Sequence, residues 1–155
     1  MTEQEKKYKK SLSYAAKYCS TSEKCKFDVI KKLKLKELCS DDINKILDYL
    51  ETENYIDERR YAKFYTNDAF KFNKWGKIKI RAFLSAKNIS DKFIFEALYE
   101  IDNKEYYEML KNLLVKKNLA LFDEDLFLKK AKLIKYAASK GFENELILKV
   151  MDDVL

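Results

Sequence analysis

The stretch Leu84-Ser85-Ala86-Lys87-Asn88-Ile89, followed by Ile94, Ala97, Leu98 and Ile101, decides the fold. Its pattern occurs three times. Upstream it reads Leu33-Lys34-Leu35-Lys36-Glu37-Leu38, then Ile43, Ile46, Leu47 and Leu50. Downstream it reads Ala137-Ala138-Ser139-Lys140-Gly141-Phe142, then Ile147, Val150, Met151 and Val154. The copies are 51 and then 53 residues apart, and spacing within the window is constant. A fixed period of this size marks a repeat of supersecondary units.

Each window describes a helix end and a helix start. A lysine (Lys36, Lys87 or Lys140) sits at the negative end of a helix dipole, where positive charge is favourable. The next residue is Glu37, Asn88 or Gly141. Asn and Gly accept the left-handed backbone that closes a helix, whereas Glu pays a steric penalty there. A looser helix end is expected in the first unit. An apolar residue then folds back, and Ser40, Ser90 or Asp91, and Asn144 are candidate caps. The apolar residues after each cap recur at i, i+3, i+4 and i+7, the stripe of a helix buried on one side.

Working outward, each unit has two earlier helices. In the first, one runs from about Glu3 to Cys19, and Ser20-Thr21-Ser22-Glu23 reads as a capping box opening the next. In the second, Asp57 starts a helix with Tyr61, Ala62, Tyr65, Ala69 and Phe72 on its core side. Gly76 breaks it before a helix over Lys77 to Lys87. In the third, Tyr106 to Lys117 forms one helix, and Asp123 caps the next. The expectation is all-α: three tandem three-helix repeats, about nine helices, in an elongated or curved stack. The repeats are placed at residues 1–53, 54–101 and 102–155. A triplet of ~50 residues buries too little surface to be robust alone, so neighbours should pack on one another.

Composition agrees. The chain of 155 residues is 47% apolar, with two glycines and no proline. Sheets and long loops need those residues at their turns, and helices do not. No apolar run approaches the ~20 residues of a membrane span, and the lysine-rich Met1–Lys10 does not lead into a secretory stretch. Three cysteines, Cys19, Cys25 and Cys39, fit no zinc spacing and are expected as buried free thiols in a reducing cytoplasm. The chain has no histidine. That removes the usual general base and every Ser-His or Cys-His nucleophile pair. Neither a glycine-rich phosphate loop nor a metal cluster is recognisable. A binding protein is therefore preferred to an enzyme, and the net charge of +6 suits an acidic partner.

The stretch Tyr55-Ile56-Asp57-Glu58-Arg59-Arg60-Tyr61-Ala62 precedes Trp75-Gly76-Lys77-Ile78-Lys79-Ile80-Arg81, then Leu84 and Lys87-Asn88-Ile89. In that order and spacing, and with the three-unit plan, the chain resembles the RecX family, regulators of the bacterial recombinase RecA. The resemblance runs from about Tyr14 to Leu155. It departs at Asn88, where glycine is expected, at Glu37, and in using lysine where arginine is common. Lysine makes fewer bidentate bonds than arginine. The resemblance implies tandem three-helix units that bind the helical groove of a RecA filament on single-stranded DNA. It implies inhibition of strand exchange, ATP turnover and co-protease activity, with no cofactor and no catalytic residue. A cytoplasmic monomer is expected, with weak, salt-dependent contact to single- or double-stranded DNA as a secondary possibility.

Charge locates the candidate surface. The three units carry net charges of +2, +4 and zero. In the middle unit Arg60, Lys63, Asn67, Lys71 and Lys74 share one helix face at spacings of three and four, opposite the apolar stripe. Lys77, Lys79 and Arg81 follow on the next helix. These eight residues are the candidate partner or DNA-binding surface; a merely solvated lysine-rich face is the competing reading. Trp75 reads as a stacking group or as a core plug at a helix junction, the plug being preferred. Tyr55 and Tyr61 are expected in the core, and Phe64 partly exposed. Asp57 and Glu58 read as cap and dipole compensation, because adjacent helix positions do not face each other. The rival function is a stand-alone DNA-binding helical module acting through phosphates. It lacks an arginine-rich helix with Asn or Gln to read bases.

Overall fold

Helix ends show how the chain is divided. The structure, a computed structural model, describes all of Met1–Leu155. It contains nine helices: α1 Glu3–Thr21, α2 Lys26–Lys34, α3 Ser40–Thr52, α4 Glu58–Lys71, α5 Lys77–Ala86, α6 Asp91–Tyr99, α7 Asn103–Leu119, α8 Leu126–Ser139 and α9 Asn144–Val154. No strand is present. Helix–helix packing runs within the triplets: α1, α2 and α3 on one another, then α4, α5 and α6, then α7, α8 and α9. The fold is the expected all-α array of three-helix repeats.

The three repeated windows close differently, for the reason anticipated. Asn88 and Gly141 adopt positive φ, 60° and 96°. The following residue then bonds back across the turn, Ile89 N–H to Leu84 O and Phe142 N–H to Ala137 O. In the first unit Glu37 also takes positive φ, 57°. There α2 ends in short turns at Leu35, Lys36 and Glu37, and Leu38 makes no bond back to Leu33. The Cβ penalty of a left-handed Glu leaves the looser end.

Several caps lie elsewhere than expected. Ser20 and Thr21 belong to α1, and their hydroxyls donate back to carbonyls of Ala16, Lys17 and Tyr18. Asp28, not Glu23, closes the box at α2: its carboxylate accepts the Cys25 N–H at 3.3 Å. The helix starts one turn later because the buried Cys25 and Val29 set its register. Asp125 rather than Asp123 caps α8, accepting from Leu128 N–H at 3.0 Å. Cys39 and Glu143 occupy the cap positions assigned to Ser40 and Asn144, and Ser90 makes no side-chain cap bond. Cys39 is exposed, against expectation, whereas Cys19 and Cys25 are buried and free.

The only two glycines in the chain meet. Gly76, at the start of α5, donates its N–H to Lys140 O at 2.7 Å, and Ile78 N–H donates to Gly141 O at 3.0 Å. The C-terminal carbonyls of α8 thus satisfy the open N–H groups of α5, head to tail. A Cβ on Gly76 would lie 2.4 Å from the Gly141 carbonyl, and one on Gly141 would lie 2.4 Å from the Lys79 Cβ. Neither position has room for a side chain.

The core is not continuous. One cluster of 21 buried residues joins the second and third units, including Tyr61, Phe70, Ile80, Leu84, Tyr106 and Phe142. A separate cluster of nine, including Val29, Leu33, Ile46 and Leu50, serves the first unit. Ile56 packs into that first cluster, and Cys25 reaches into the second.

Two outcomes follow. Gly76→Ala or Gly141→Ala forces backbones apart, a loss of about 1–3 kcal/mol measured by urea unfolding, typical of overpacking. Native-state hydrogen exchange will show amides of α1–α3 opening before those of α5, α7 and α8, because the smaller cluster supports a separate opening unit.

Candidate binding surface

The acidic–basic run that opens α4 turns out to be structural. Asp57 caps its own helix, accepting from Arg60 N–H at 3.1 Å. Glu58 does more than compensate a dipole: it accepts the Lys26 N–H of α2 at 3.0 Å, capping a helix in the neighbouring unit. Burial pushes its carboxyl above the ordinary value. Arg59 pairs with Glu96 on α6 at 2.9 Å. Arg60 holds Glu23, between α1 and α2, at 2.7 Å and also reaches Asn54 O. Lys87, the repeat lysine of the second unit, pairs with Asp28 on α2. Lys140, its counterpart in the third, donates to Asn73 O at 3.3 Å. The repeat lysine therefore reaches back into the preceding unit. Its sequence signature was legible as dipole compensation, but its reach was not.

Asp28 sits in the densest part of this clamp. Burial would raise its carboxyl, but hydrogen bonds from Lys87 and Cys25 outweigh that and hold it below the ordinary carboxylate value. Burial pushes the Cys25 thiol up to about 11, so it stays a neutral S–H beside that carboxylate.

The eight candidate residues do not form one face. Arg60 is consumed by the clamp. Lys63 pairs with Glu100 at 3.0 Å. Lys63, Asn67 and Lys71 line a cleft whose other wall carries Glu100, Asp102 and Glu105, so positive charge there is offset. Lys74 lies beyond the end of α4 with φ of 59°, off the predicted helical line. Phe72, expected in the core, is the helix's final cap and is exposed; Phe70 fills the core instead. The remaining cations gather around the α4–α5 turn. Lys77 lies over the Tyr106 ring at 4.8 Å and Lys79 over Trp75 at 4.5 Å. Arg81 is exposed. None of Lys74, Lys77, Lys79 and Arg81 has a carboxylate within ion-pair distance, and neither does Lys140, which the fold adds from the third unit. The five form the uncancelled positive area of this surface.

Trp75 is half-buried against the main core cluster, edge-on to Tyr65 and Phe83, whose rings stack at 4.2 Å. It is a plug under the basic turn. Tyr61 is buried and Phe64 exposed, as expected, but Tyr55 is 36% exposed and leans on Tyr49 rather than entering the core. Tyr106, buried below the turn, accepts the Lys77 N–H at 2.9 Å and donates to Glu143, fixing the start of α5. No group of His, Cys, Asp or Glu is disposed to hold a metal ion. No helix is long and apolar enough to cross a membrane.

Four of these five cations, Lys74, Lys77, Lys79 and Arg81, lie in a stretch that a known family model matches. A family model described as "RecX, second three-helix domain" matches residues 57–98. A protein of Clostridium acetobutylicum named "Regulatory protein RecX" is 29% identical over 97% of this chain and 72% of its own length. One of the same name from Clostridium beijerinckii is 32% identical over 83% of this chain, which spans only 60% of that relative. The crystal structure of RecX from Lactobacillus salivarius superposes with a TM-score of 0.87 at 23% identity, covering 96% of this chain and 97% of that one. That likeness concerns the fold.

The depressed Asp28 carboxyl sets a pH dependence. Its unfolded value is about 3.9. Its stabilisation is complete above that pH and disappears as pH falls through the lower folded value. Asp28→Asn will lower hydrogen-exchange protection of α1–α3 at neutral pH and flatten that acid loss, read by exchange at pH 7 and by acid titration of circular dichroism.

Proposed function

This chain belongs to the RecX family, and from that premise we propose that it is a non-enzymatic cytoplasmic regulator of the RecA recombinase. In this reading it binds the RecA filament on single-stranded DNA and restrains strand exchange, ATP turnover and co-protease cleavage during DNA repair and the SOS response. The observation that carries the reading is the uncancelled positive area around the α4–α5 turn, in the unit the family description matches. Lys74 and Arg81 are exposed there and Lys77 and Lys79 half-buried, all without carboxylate partners, seated on a base of Trp75, Tyr106 and the glycine contact. An acidic filament groove, or the phosphates within it, is the complementary surface. Arg60 and Lys63 act mainly by holding α4 against its neighbours through Glu23 and Glu100, with Asn67 and Lys71 at the edge of the contact.

Charges at an interface rim act chiefly on association and its salt dependence. Lys74→Glu, Lys79→Glu and Arg81→Glu combined should weaken inhibition of RecA ATP hydrolysis on single-stranded DNA at least about tenfold, roughly 1.4 kcal/mol. Lys104→Glu with Lys149→Glu, a reversal elsewhere, should leave inhibition unchanged. Tighter binding of the protein to bare single-stranded DNA than to RecA-coated strands would instead favour the stand-alone DNA-binding reading.

A further inference from the structure

The first unit carries a net charge of only +2, which hides how unevenly that charge is laid out. Its acids lie mostly on α3 and in the first turn of α1. Glu23 and Asp28, near the start of α2, are taken by Arg60 and Lys87 of the second unit. The lysines of the α1–α2 face are thereby left in excess. Lys7, Lys10, Tyr14 and Lys17 recur on α1 at steps of three, four and three, so they share one helix face. Lys36, at the end of α2, joins them around a cleft of about 460 Å³. Ser11 and Ser13 complete its lining, which holds no carboxylate.

The cleft continues into a stack of lysines and tyrosines. The rings of Tyr14 and Tyr18 lie within 7° of parallel, their centroids 6.4 Å apart. Lys36 sits over Tyr14 at 4.3 Å, and Lys24 and Lys32 sit over Tyr18 at 4.7 and 5.5 Å. A ring face holds an ammonium in place without cancelling its charge, as a carboxylate would. Lys7 is also fixed by a neutral group, donating to the Glu37 carbonyl at 2.8 Å. None of these six lysines is in an ion pair. The exposed Glu37 side chain offsets one charge at the edge of the cleft.

We propose that this face binds the backbone of a single nucleic-acid strand, at a site separate from the α4–α5 turn. From Lys7 to Lys17 α1 runs about 15 Å, at ~1.5 Å per residue, and Lys32 and Lys24 extend the track. That length spans several consecutive phosphates. All six cations are lysines, compact point charges without the fixed fork of arginine, and they suit a backbone bound regardless of sequence. Tyr14, 37% exposed, adds ring surface for a base or sugar to pack on, which an acidic peptide would leave unused. A cleft in the size range of small-ligand pockets takes one flexible strand and not a duplex. The site rests on first-unit residues alone and stands whether or not the filament reading holds.

Fluorescence anisotropy of a labelled oligothymidylate at low salt tests it. The wild type should bind, and Lys10→Glu, Lys17→Glu and Lys36→Glu combined should weaken binding at least about tenfold. All three side chains are exposed, and circular dichroism checks that the variant folds. The milder set Lys10→Gln, Lys17→Gln and Lys36→Gln should flatten the slope of log affinity against log salt by about two, the share of three phosphate contacts on a single strand. Lys74→Glu, Lys79→Glu and Arg81→Glu combined change the net charge equally and should weaken strand binding less, while being the set that relieves inhibition of RecA. Equal loss from both glutamate sets overturns the proposal, because net charge would then be the cause. So does a wild type that ignores the strand at low salt, or one that prefers a duplex of the same length or polyglutamate.

Discussion

The contact between Gly76 and Gly141 is where the second and third units become one body. Two helix ends meet with backbone against backbone, and the carbonyls closing α8 take the N–H groups opening α5. A helix end buried without partners leaves polar groups desolvated, so an array of short helices needs such an arrangement at every junction. This approach is possible only if both positions lack a Cβ. In a chain with no other glycine, both are spent on a single junction 65 residues apart in sequence. The shared core of 21 residues, the buried Tyr106 and the seating of Trp75 all depend on that spacing.

The first junction solves the same problem with charge. Glu58 supplies the acceptor that helix carbonyls supply at the second junction, and Lys87, Asp28, Arg60 and Glu23 surround it. Ion pairs with partly exposed members contribute modestly to stability and weaken with salt and acid. Apolar surface is shared little here, since the first unit keeps its own cluster of nine. The array thus combines a dry, rigid pair of units with a third attached by polar clamps. The run Asp57–Arg60, prominent in the sequence, belongs to this clamp rather than to a binding face.

Surface chemistry follows from the same geometry. Where the second and third units abut, Lys77 and Lys79 lie over the rings of Tyr106 and Trp75 and Lys140 reaches the Asn73 carbonyl, so their charge is left without carboxylate partners. Along α4, facing α6 and α7, carboxylates cancel it. The proposed regulatory contact therefore centres on the α4–α5 turn, with Lys140 added from another unit, rather than on the long stripe that helical spacing alone suggested.

The helices themselves were legible because their cause is local. Apolar periodicity, the lysine before a left-handed residue, and Asp57 as a cap all act within a few residues. They determined the element number, the triplet grouping, the looser end at Glu37 and the burial of Tyr61. Cap positions slipped by five residues at α2 and by two at α8, since Ser, Thr and Asp candidates compete and, at α2, packing of Cys25 and Val29 chooses among them. What only the tertiary structure decided is which helix ends meet. Gly76 read as a helix break and Gly141 as a cap, each correctly, but nothing local distinguishes a glycine needed for its φ from one needed because another backbone lies 2.4 Å from where its Cβ would be. The same holds for Glu58, Arg60, Lys87 and Lys140: their charges were written in the sequence, and their partners, 32 to 67 residues away, were set by the packing of units in space.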